Sequence, residues 1–278
     1  MRKNVVLENH DRYIETMNST DLQELREAVE LLENPGWIAN LTNLIGVPLE
    51  SAISRLPRRI KVRITGAVTK SIRVALEIAV KTMDQTKEVS VSNWIHRAAV
   101  GGTGALGGFF GPWALTLELP ISTAIMLRSI AFIARSHGED LTVPESKLAC
   151  IEVFALGSSS SSHGSLDASY YGVRIGLARA LSEAAEYIAA KGLADEGAPV
   201  IARLIARIAA RFEVVVTEKV AVEIVPVVGA VTGATINVLF INLFQKMAEG
   251  HFTIRELERK YGPEEVKKQY YKLRQDAD

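Results

Sequence analysis

The stretch that decides the fold is "AAVGGTGALGGFFGPWALTLELP", residues 98–120. It holds 20 consecutive uncharged residues before its first charge at Glu118, and six of those 20 are glycine and one is proline. A stretch of about 20 apolar residues is long enough to cross a bilayer. The stretch is therefore a membrane span, a buried helix of a soluble bundle, or a phosphate-binding loop.

A phosphate-binding loop is the least favoured of the three. Gly102, Gly104 and Gly107 fit the bare G-x-G-x-x-G spacing, but no strand is predicted before them and no acidic residue is placed to bind a ribose. The Lys-Ser/Thr pair of a Walker loop is also missing after the glycines. The sequence therefore does not favour nucleotide binding.

Four-residue glycine spacing favours helix packing instead. A second uncharged run, residues 224–245, repeats this character, and Asn237 lies one turn beyond its glycine pair. Small residues four apart share one face of a helix and let a second helix approach closely. We predict buried packing helices, with a hairpin that inserts into the membrane interface as the alternative. The predicted packing positions are Gly104, Gly108, Gly111, Gly229 and Gly233.

Apolar residues recur at three- and four-residue spacing along most of the chain, which predicts an all-α multi-helix bundle with the two glycine-rich segments as central helices. We expect a single domain over residues 1–278, with a flexible serine-rich connector at 157–165. An opening helix is expected over residues 4–17. A second helix is expected after "NST", capped by Thr20 and stopped by Asn34-Pro35-Gly36.

Composition excludes several classes of protein. Lys and Arg together number 32, as do Asp and Glu, so the net charge is zero and no nucleic-acid partner is expected. The single cysteine, Cys150, lies in an apolar run and is expected to be buried, in a reducing compartment. The N-terminus lacks a secretory apolar region, which predicts a cytoplasmic protein. The five histidines have no metal-ligand spacing, so we expect neither a metal nor a cofactor.

A basic amphipathic segment runs from residue 55 to residue 81, where eight cationic residues face the lone Glu77. Such a segment suits an anionic membrane surface at the inner face of the cell membrane. The alternative is a solvated helix face that pairs with the acidic residues of the N-terminal helices. The residues predicted to bind the membrane surface are Arg58, Arg59, Lys61, Arg63, Lys70 and Arg73.

Two charges lie in strongly apolar sequence, Glu118 and Arg128. Because an isolated buried charge is costly, each needs a partner or access to water. They could meet if the chain bends at Pro120, or they could pair with Glu152, Arg174 or Glu223. The sharper interpretation is a polar pocket. Its predicted members are Glu118, Arg128, Tyr171, Arg174 and Asn237.

The run from residue 101 through "ELP", then "CIEVFALG", "SYYGVR", "VPVVGAVTGATINVLF" and "LERKYGPEEV", resembles the EcsC protein family over most of the chain. The resemblance implies a bacterial protein linked to an operon for an ABC transporter. It supplies no biochemical activity and no catalytic residue. The acid before Leu-Pro is more often Asp in that family, whereas here it is Glu118, one methylene longer.

Three functions are open on the sequence. The first is a non-enzymatic, membrane-associated accessory or interaction protein, with an anionic membrane surface or a membrane complex such as an ABC transporter as its partner. The second is a hydrolase-type enzyme built around Glu118, Arg128 and Arg174. The third is a soluble helical scaffold without membrane contact.

Overall fold

The computed structural model describes residues 17–83, 115–157, 169–193, 198–224 and 233–275. These residues form ten α-helices and no strand, so the predicted all-α multi-helix fold is confirmed. Several predictions fall outside the described residues. They are the opening helix up to residue 16, the connector from residue 158, and the packing positions Gly104, Gly108, Gly111 and Gly229.

The helices follow one another along the chain with short connections wherever consecutive residues are described. They are α1 (Ser19–Glu33), α2 (Trp37–Ile45), α3 (Leu49–Ser54), α4 (Arg58–Thr82), α5 (Leu115–Ser136), α6 (Pro144–Leu156), α7 (Tyr170–Lys191), α8 (Pro199–Ile224), α9 (Gly233–Tyr261) and α10 (Pro263–Gln275).

The helix α1 shows how local sequence sets a boundary. Its N-cap is Asn18, whose side-chain oxygen accepts a hydrogen bond from the backbone N–H of Asp21 at 2.8 Å. Thr20, the predicted cap, lies inside the first turn, so the helix begins two residues earlier than expected. It ends at Asn34 before Pro35, as predicted. An amide side chain is as good an N-cap as a hydroxyl, so Asn18 takes the role that was predicted for Thr20.

The helix α5 passes through Pro120 without interruption. Proline has no N–H, so the carbonyl of Thr116 loses its helical donor, but Thr116 is exposed and water can replace that donor. Glu118 and Arg128 are ten residues apart on this helix, about 15 Å along its axis. The helix is continuous through Pro120, and the two charges do not meet, because Glu118 pairs with Lys219 and Arg128 donates to Thr82.

The centre of the bundle is α6, whose residues from Ser146 to Leu156 are all buried. Phe154 on α6 packs against Phe212 of α8 and Phe244 of α9, with ring centroids 5.2 and 5.5 Å apart. A helix that is covered on every side has no polar face, so its sequence carries no amphipathic pattern. Cys150 lies on this helix, and its complete burial raises the pKa of its thiol to about 12.

The helices α1 and α9 approach most closely at a glycine. A Cβ atom added to Gly250 would lie 2.6 Å from Cγ of Leu32 and 3.1 Å from the carbonyl oxygen of Ala28. Close packing through a small residue was predicted for this protein, but at other glycines. Among the described glycines, Gly250 is the one where an added Cβ would come within 3.0 Å of another helix, and Gly157 is less tight, with Phe244 at 3.1 Å.

Side-chain contacts fix the directions of the long helices. The amide of Gln245 on α9 donates to the hydroxyl of Ser129 on α5 at 2.8 Å, and His137, just after α5, contacts Glu256 further along α9 at 2.7 Å. The helices α5 and α9 therefore run in the same direction. The helix α4 packs along α5, and its last residue, Thr82, accepts a hydrogen bond from Arg128 at 2.8 Å. It therefore shares their direction as well.

The helix α8 runs the opposite way, because Lys219 near its end pairs with Glu118 in the first turn of α5. Consequently α4, α5 and α9 begin, and α8 ends, at one end of the bundle. We call this the apolar end, because Leu117, Ile121 and Val238 are exposed there. We call the opposite end, where α5 and α9 finish, the polar end.

Candidate functional site

An ion pair ties α7 to α9 at the polar end. The guanidinium of Arg174 donates to both carboxylate oxygens of Glu258, at 2.7 and 3.0 Å, and the hydroxyl of Tyr171 donates to the same carboxylate at 3.1 Å. The guanidinium also lies 5.4 Å from the ring centroid of Tyr170. Bidentate pairs of this kind are strong and directional. Arg174 is thus fully engaged by its own protein.

A second carboxylate at this end gathers two arginines. Glu139 accepts hydrogen bonds from Nε and Nη2 of Arg255, at 2.8 and 2.9 Å, and from the hydroxyl of Ser146 at 2.6 Å. Arg259 pairs with the same carboxylate. Burial alone would raise the pKa of Glu139, but these hydrogen bonds and the two positive charges outweigh it and hold the pKa at about 2. The carboxylate is therefore ionised at neutral pH.

A cavity of about 410 Å³ opens beside these pairs. Its two arginines both pair with Glu139, and the described lining carries three carboxylates against these two guanidinium groups, so the wall does not favour an anionic ligand. The described residues also contain no group of His, Cys, Asp and Glu side chains that could hold a metal ion. The cavity is lined by Gly138, Glu139, Asp140, Ser146, Arg255, Glu258, Arg259 and Pro263.

Beneath the arginines lies a sealed group of titratable side chains. Nδ1 of His251 lies 3.1 Å from the hydroxyl of Tyr170, and its Nε2 lies 3.8 Å from a carboxylate oxygen of Glu152. His251 is completely buried, and among the described residues its Nε2 has no hydrogen-bond partner. Burial, followed by the nearby charges of Arg174 and Arg255, lowers the pKa of His251. Burial also raises the pKa of Glu152 to about 7. His251 therefore favours its neutral form, whereas Glu152 is divided between its neutral and ionised forms near pH 7.

A buried lysine organises the apolar end. Nζ of Lys219 lies 3.0 Å from a carboxylate oxygen of Glu118 and 3.0 Å from one of Glu223, and only 1% of the lysine side chain is exposed. Burial lowers the pKa of Lys219, but the two carboxylates outweigh burial and raise it. For Glu223 burial is the larger effect and raises the pKa despite the lysine. We call these three residues the Lys219 node.

The outer surface of α4 is cationic. Six of its basic side chains are exposed. Lys81 pairs with Glu77 at 3.8 Å, and the other five have no hydrogen-bond or ion-pair partner within the residues that the structure describes. Arg63 is half-buried. The helix buries its opposite surface against α5, α6 and α8. The five exposed residues other than Lys81, which we call the basic face, are Arg58, Arg59, Lys61, Lys70 and Arg73.

Two acidic residues of α1, Asp21 and Glu33, pair with cations outside the basic face. Asp21 pairs with Lys260 of α9, and Glu33 pairs with Arg274 of α10 at 3.5 Å. The helices that pack along α4 are instead α5, α6 and α8. The alternative to membrane binding was that the acidic residues of the N-terminal helices pair with the basic segment. Asp21 and Glu33 pair with Lys260 and Arg274 instead.

The five residues predicted to form one polar pocket lie in separate places. Tyr171 and Arg174 share Glu258 at the polar end, whereas Glu118 belongs to the Lys219 node at the apolar end. Arg128 donates to Thr82, and Asn237 is half-buried on α9. The predicted pocket is corrected on this point, because Glu118 and Arg128 lie ten residues apart on one continuous helix and each has a different partner.

Sequence reasoning missed the partners that hold these residues. Glu258 lies in "RELERK", where charges are so dense that no single one stands out. Glu139 likewise lies in a connection between helices, where an acidic residue is ordinary. Lys219 did carry a signal, because it interrupts the apolar run "VVVTEKVAVEIV" in the way that Glu118 interrupts its own.

One described helix, α5, is long and apolar enough by length and composition to cross a membrane. Its most apolar 18-residue window has a mean hydropathy of 1.5, and 56% of that window is buried inside the protein. Core helices of soluble proteins share these properties. The finding therefore leaves open how α5 relates to a bilayer.

Comparison with known proteins gives one match. The model of the EcsC protein family matches residues 19–257. No curated protein and no solved structure matches the chain. The matched range contains the basic face, the Lys219 node and Arg174, and it ends one residue before Glu258.

Proposed function

We propose, on the premise that the chain belongs to the EcsC protein family, that it is a non-enzymatic accessory protein that binds the anionic surface of a membrane. The family relationship also suggests the membrane complex that it serves, and we propose an ABC transporter for that role. The observation that carries the membrane part of the proposal is the basic face of α4.

The basic face has the properties that such a surface needs. Its five cations are exposed along one side of a 25-residue helix and have no partner among the described side chains. Each Lys or Arg near an anionic membrane contributes about 1 kcal/mol, so the five together supply roughly 5 kcal/mol. That energy supports reversible binding of a folded protein to a membrane surface.

The other two functions that the sequence left open receive less support. A hydrolase centre would need Glu118, Arg128 and Arg174 around one cavity, but their partners are Lys219, Thr82 and Glu258 respectively. A soluble scaffold without membrane contact gives no reason for an unneutralised basic face. If the protein is such a scaffold, it will not float with vesicles in the following experiment.

The test is flotation with vesicles of phosphatidylglycerol and phosphatidylcholine at low salt. We expect the protein to float with vesicles that contain phosphatidylglycerol and to stay behind with phosphatidylcholine alone. The triple variant R58Q/R59Q/K61Q removes the three cations at the start of the basic face. It should lose about 3 kcal/mol, on the order of a 100-fold weaker affinity.

The matched control is R26Q/K268Q/K272Q, which removes three exposed cations on α1 and α10. It changes the net charge by the same amount and should retain most of the binding. Recovery of the wild-type protein in the soluble fraction at low salt would refute the proposal. Equal losses in the two triple variants would refute the assignment to α4.

A further inference from the structure

We propose that the apolar end of the bundle is the part of the protein that enters the lipid interface, with the start of the basic face among the headgroups. The inference rests on the proposed membrane binding and adds to it the orientation and the contacting side chains. The partner is the interface of an anionic bilayer. Four features of the described residues support it.

The first feature is the exposed apolar side chains. Leu117 is 68% exposed, Ile121 is 43% exposed one turn later on the same side of α5, and Val238 on α9 is 57% exposed. The parallel packing of α5 and α9 brings these residues to the same end of the molecule. Phe132, Val143 and Ile175 are exposed toward the opposite end, so the apolar end is distinguished by the combination of its apolar side chains with the cations at the start of α4.

The second feature is the start of α4. Its first turn contains Arg58, Arg59 and Lys61 and no acidic residue. Cations at the N-terminus of a helix are opposed by the helix dipole. The helix therefore begins with charges that disfavour it, and an anionic headgroup layer would relieve that repulsion.

The third feature is that Val62 follows these cations and is 66% exposed on the same outer surface of α4. An apolar side chain between cations is the pattern of a helix at a membrane interface, where the apolar group is buried and the cations reach the headgroups. The start of α4 thus combines both kinds of contact.

The fourth feature is the end of α8. Ile224 is the last residue of this helix and is 38% exposed at the apolar end. It adds a further apolar side chain to the surface that Leu117, Ile121 and Val238 present there.

The Lys219 node lies directly below this surface. Its two acidic residues, Glu118 and Glu223, share one buried cation. Carboxylates facing anionic headgroups would be repelled, and pairing with Lys219 reduces that repulsion. At the apolar end, Glu118 and Glu223 are thus tied to a buried cation, beside the exposed apolar groups and the cations at the start of α4.

The experiment places an environment-sensitive nitrobenzoxadiazole label at L117C. The native Cys150 is fully buried and its thiol pKa is about 12, so it should not compete for the label. The matched control is F132C, because Phe132 lies on the same helix, is 65% exposed and is near the polar end. Both labelled proteins are mixed with the vesicles used for flotation, now carrying a spin-labelled lipid as quencher.

We expect the label at position 117 to brighten and to be quenched by the lipid, while the label at position 132 stays in water. A second variant, L117S/V238S, should bind vesicles at least tenfold more weakly, because two partly inserted apolar side chains are lost. Circular dichroism of each variant verifies its helix content.

The outcomes separate the two proposals. If the proteins float but the label at position 132 is quenched and that at position 117 is not, the orientation is overturned and the membrane function stands. Quenching at neither position, with flotation retained, likewise overturns the insertion. If no vesicle is bound, the membrane function fails and the orientation fails with it.

Discussion

At the residue scale, the charged groups divide by whether they have partners. Glu139 is held by Arg255, Arg259 and Ser146, and Glu118 is held by Lys219. These groups contribute to the stability of the folded chain. The exposed cations of α4 lack such partners among the described residues, which is why they are available for a membrane surface and the buried charges are not.

Glu139 makes a prediction about acid stability. Its pKa falls from a usual value near 4.5 to about 2 in the folded chain. A pKa lowered by folding stabilises the native state above the unfolded pKa, and that stabilisation is lost as the pH falls toward the folded pKa. The change corresponds to roughly 3 kcal/mol at pH 7.

We therefore expect E139Q to be about 3 kcal/mol less stable than the wild type at pH 7, with the difference shrinking below pH 4.5 and vanishing near pH 2. Urea unfolding at pH 7, 5 and 3 measures it. The control is E24Q, an exposed carboxylate on α1, which should change stability little at any pH. A difference between E139Q and wild type that does not depend on pH would contradict the assignment.

At the element scale, the packing of α1 on α9 depends on a glycine that no motif identified. Gly250 leaves room for Leu32 and for the carbonyl of Ala28, whereas Gly176 on α7 has open space where a Cβ would be placed. The two positions are chemically identical and both helical. They differ in whether another helix occupies the space of the side chain.

Alanine at these two positions should therefore have opposite effects. Alanine is a better helix former than glycine by about 1 kcal/mol, so G176A should stabilise the protein by up to that amount. At Gly250 the added methyl group would overlap Leu32, and overpacking of about 1–3 kcal/mol should outweigh the helix propensity in G250A. The midpoints of urea unfolding of the two variants give the test. If both substitutions stabilise the protein, α1 can shift away from α9 at little energetic cost, and the prediction for Gly250 is wrong.

At the scale of the whole molecule, sequence periodicity predicted the helices but not their mutual positions. The helix class and the end of α1 at Asn34 followed from local patterns. The pairing of Arg174 with Glu258 joins residues 84 positions apart, and nothing in either neighbourhood specifies the other. The burial of α6 on all sides also leaves no periodic pattern that would place it at the centre. Side-chain partners therefore needed the three-dimensional structure.

The net charge is zero, but the charges are distributed unevenly over the surface, and the proposed function depends on this uneven distribution. At the polar end, Arg174 and Arg255 are held in ion pairs, whereas the cations of the basic face are exposed. Attraction to a membrane depends on charges within about a Debye length of its surface, which is about 10 Å at 0.1 M salt and about 3 Å at 1 M. A neutral protein can therefore bind an anionic membrane through one surface.

This asymmetry predicts how salt acts on membrane binding. Raising sodium chloride from about 0.05 M to about 1 M should release most of the wild-type protein from phosphatidylglycerol vesicles, because screening removes the attraction of the basic face. The R58Q/R59Q/K61Q variant should respond much less, so the two proteins should converge at high salt. The binding that remains at high salt comes from apolar contacts. It should be weaker in L117S/V238S than in an F132S control variant. Wild-type binding that is insensitive to salt would mean that apolar contacts, and not the cations of α4, hold the protein on the membrane.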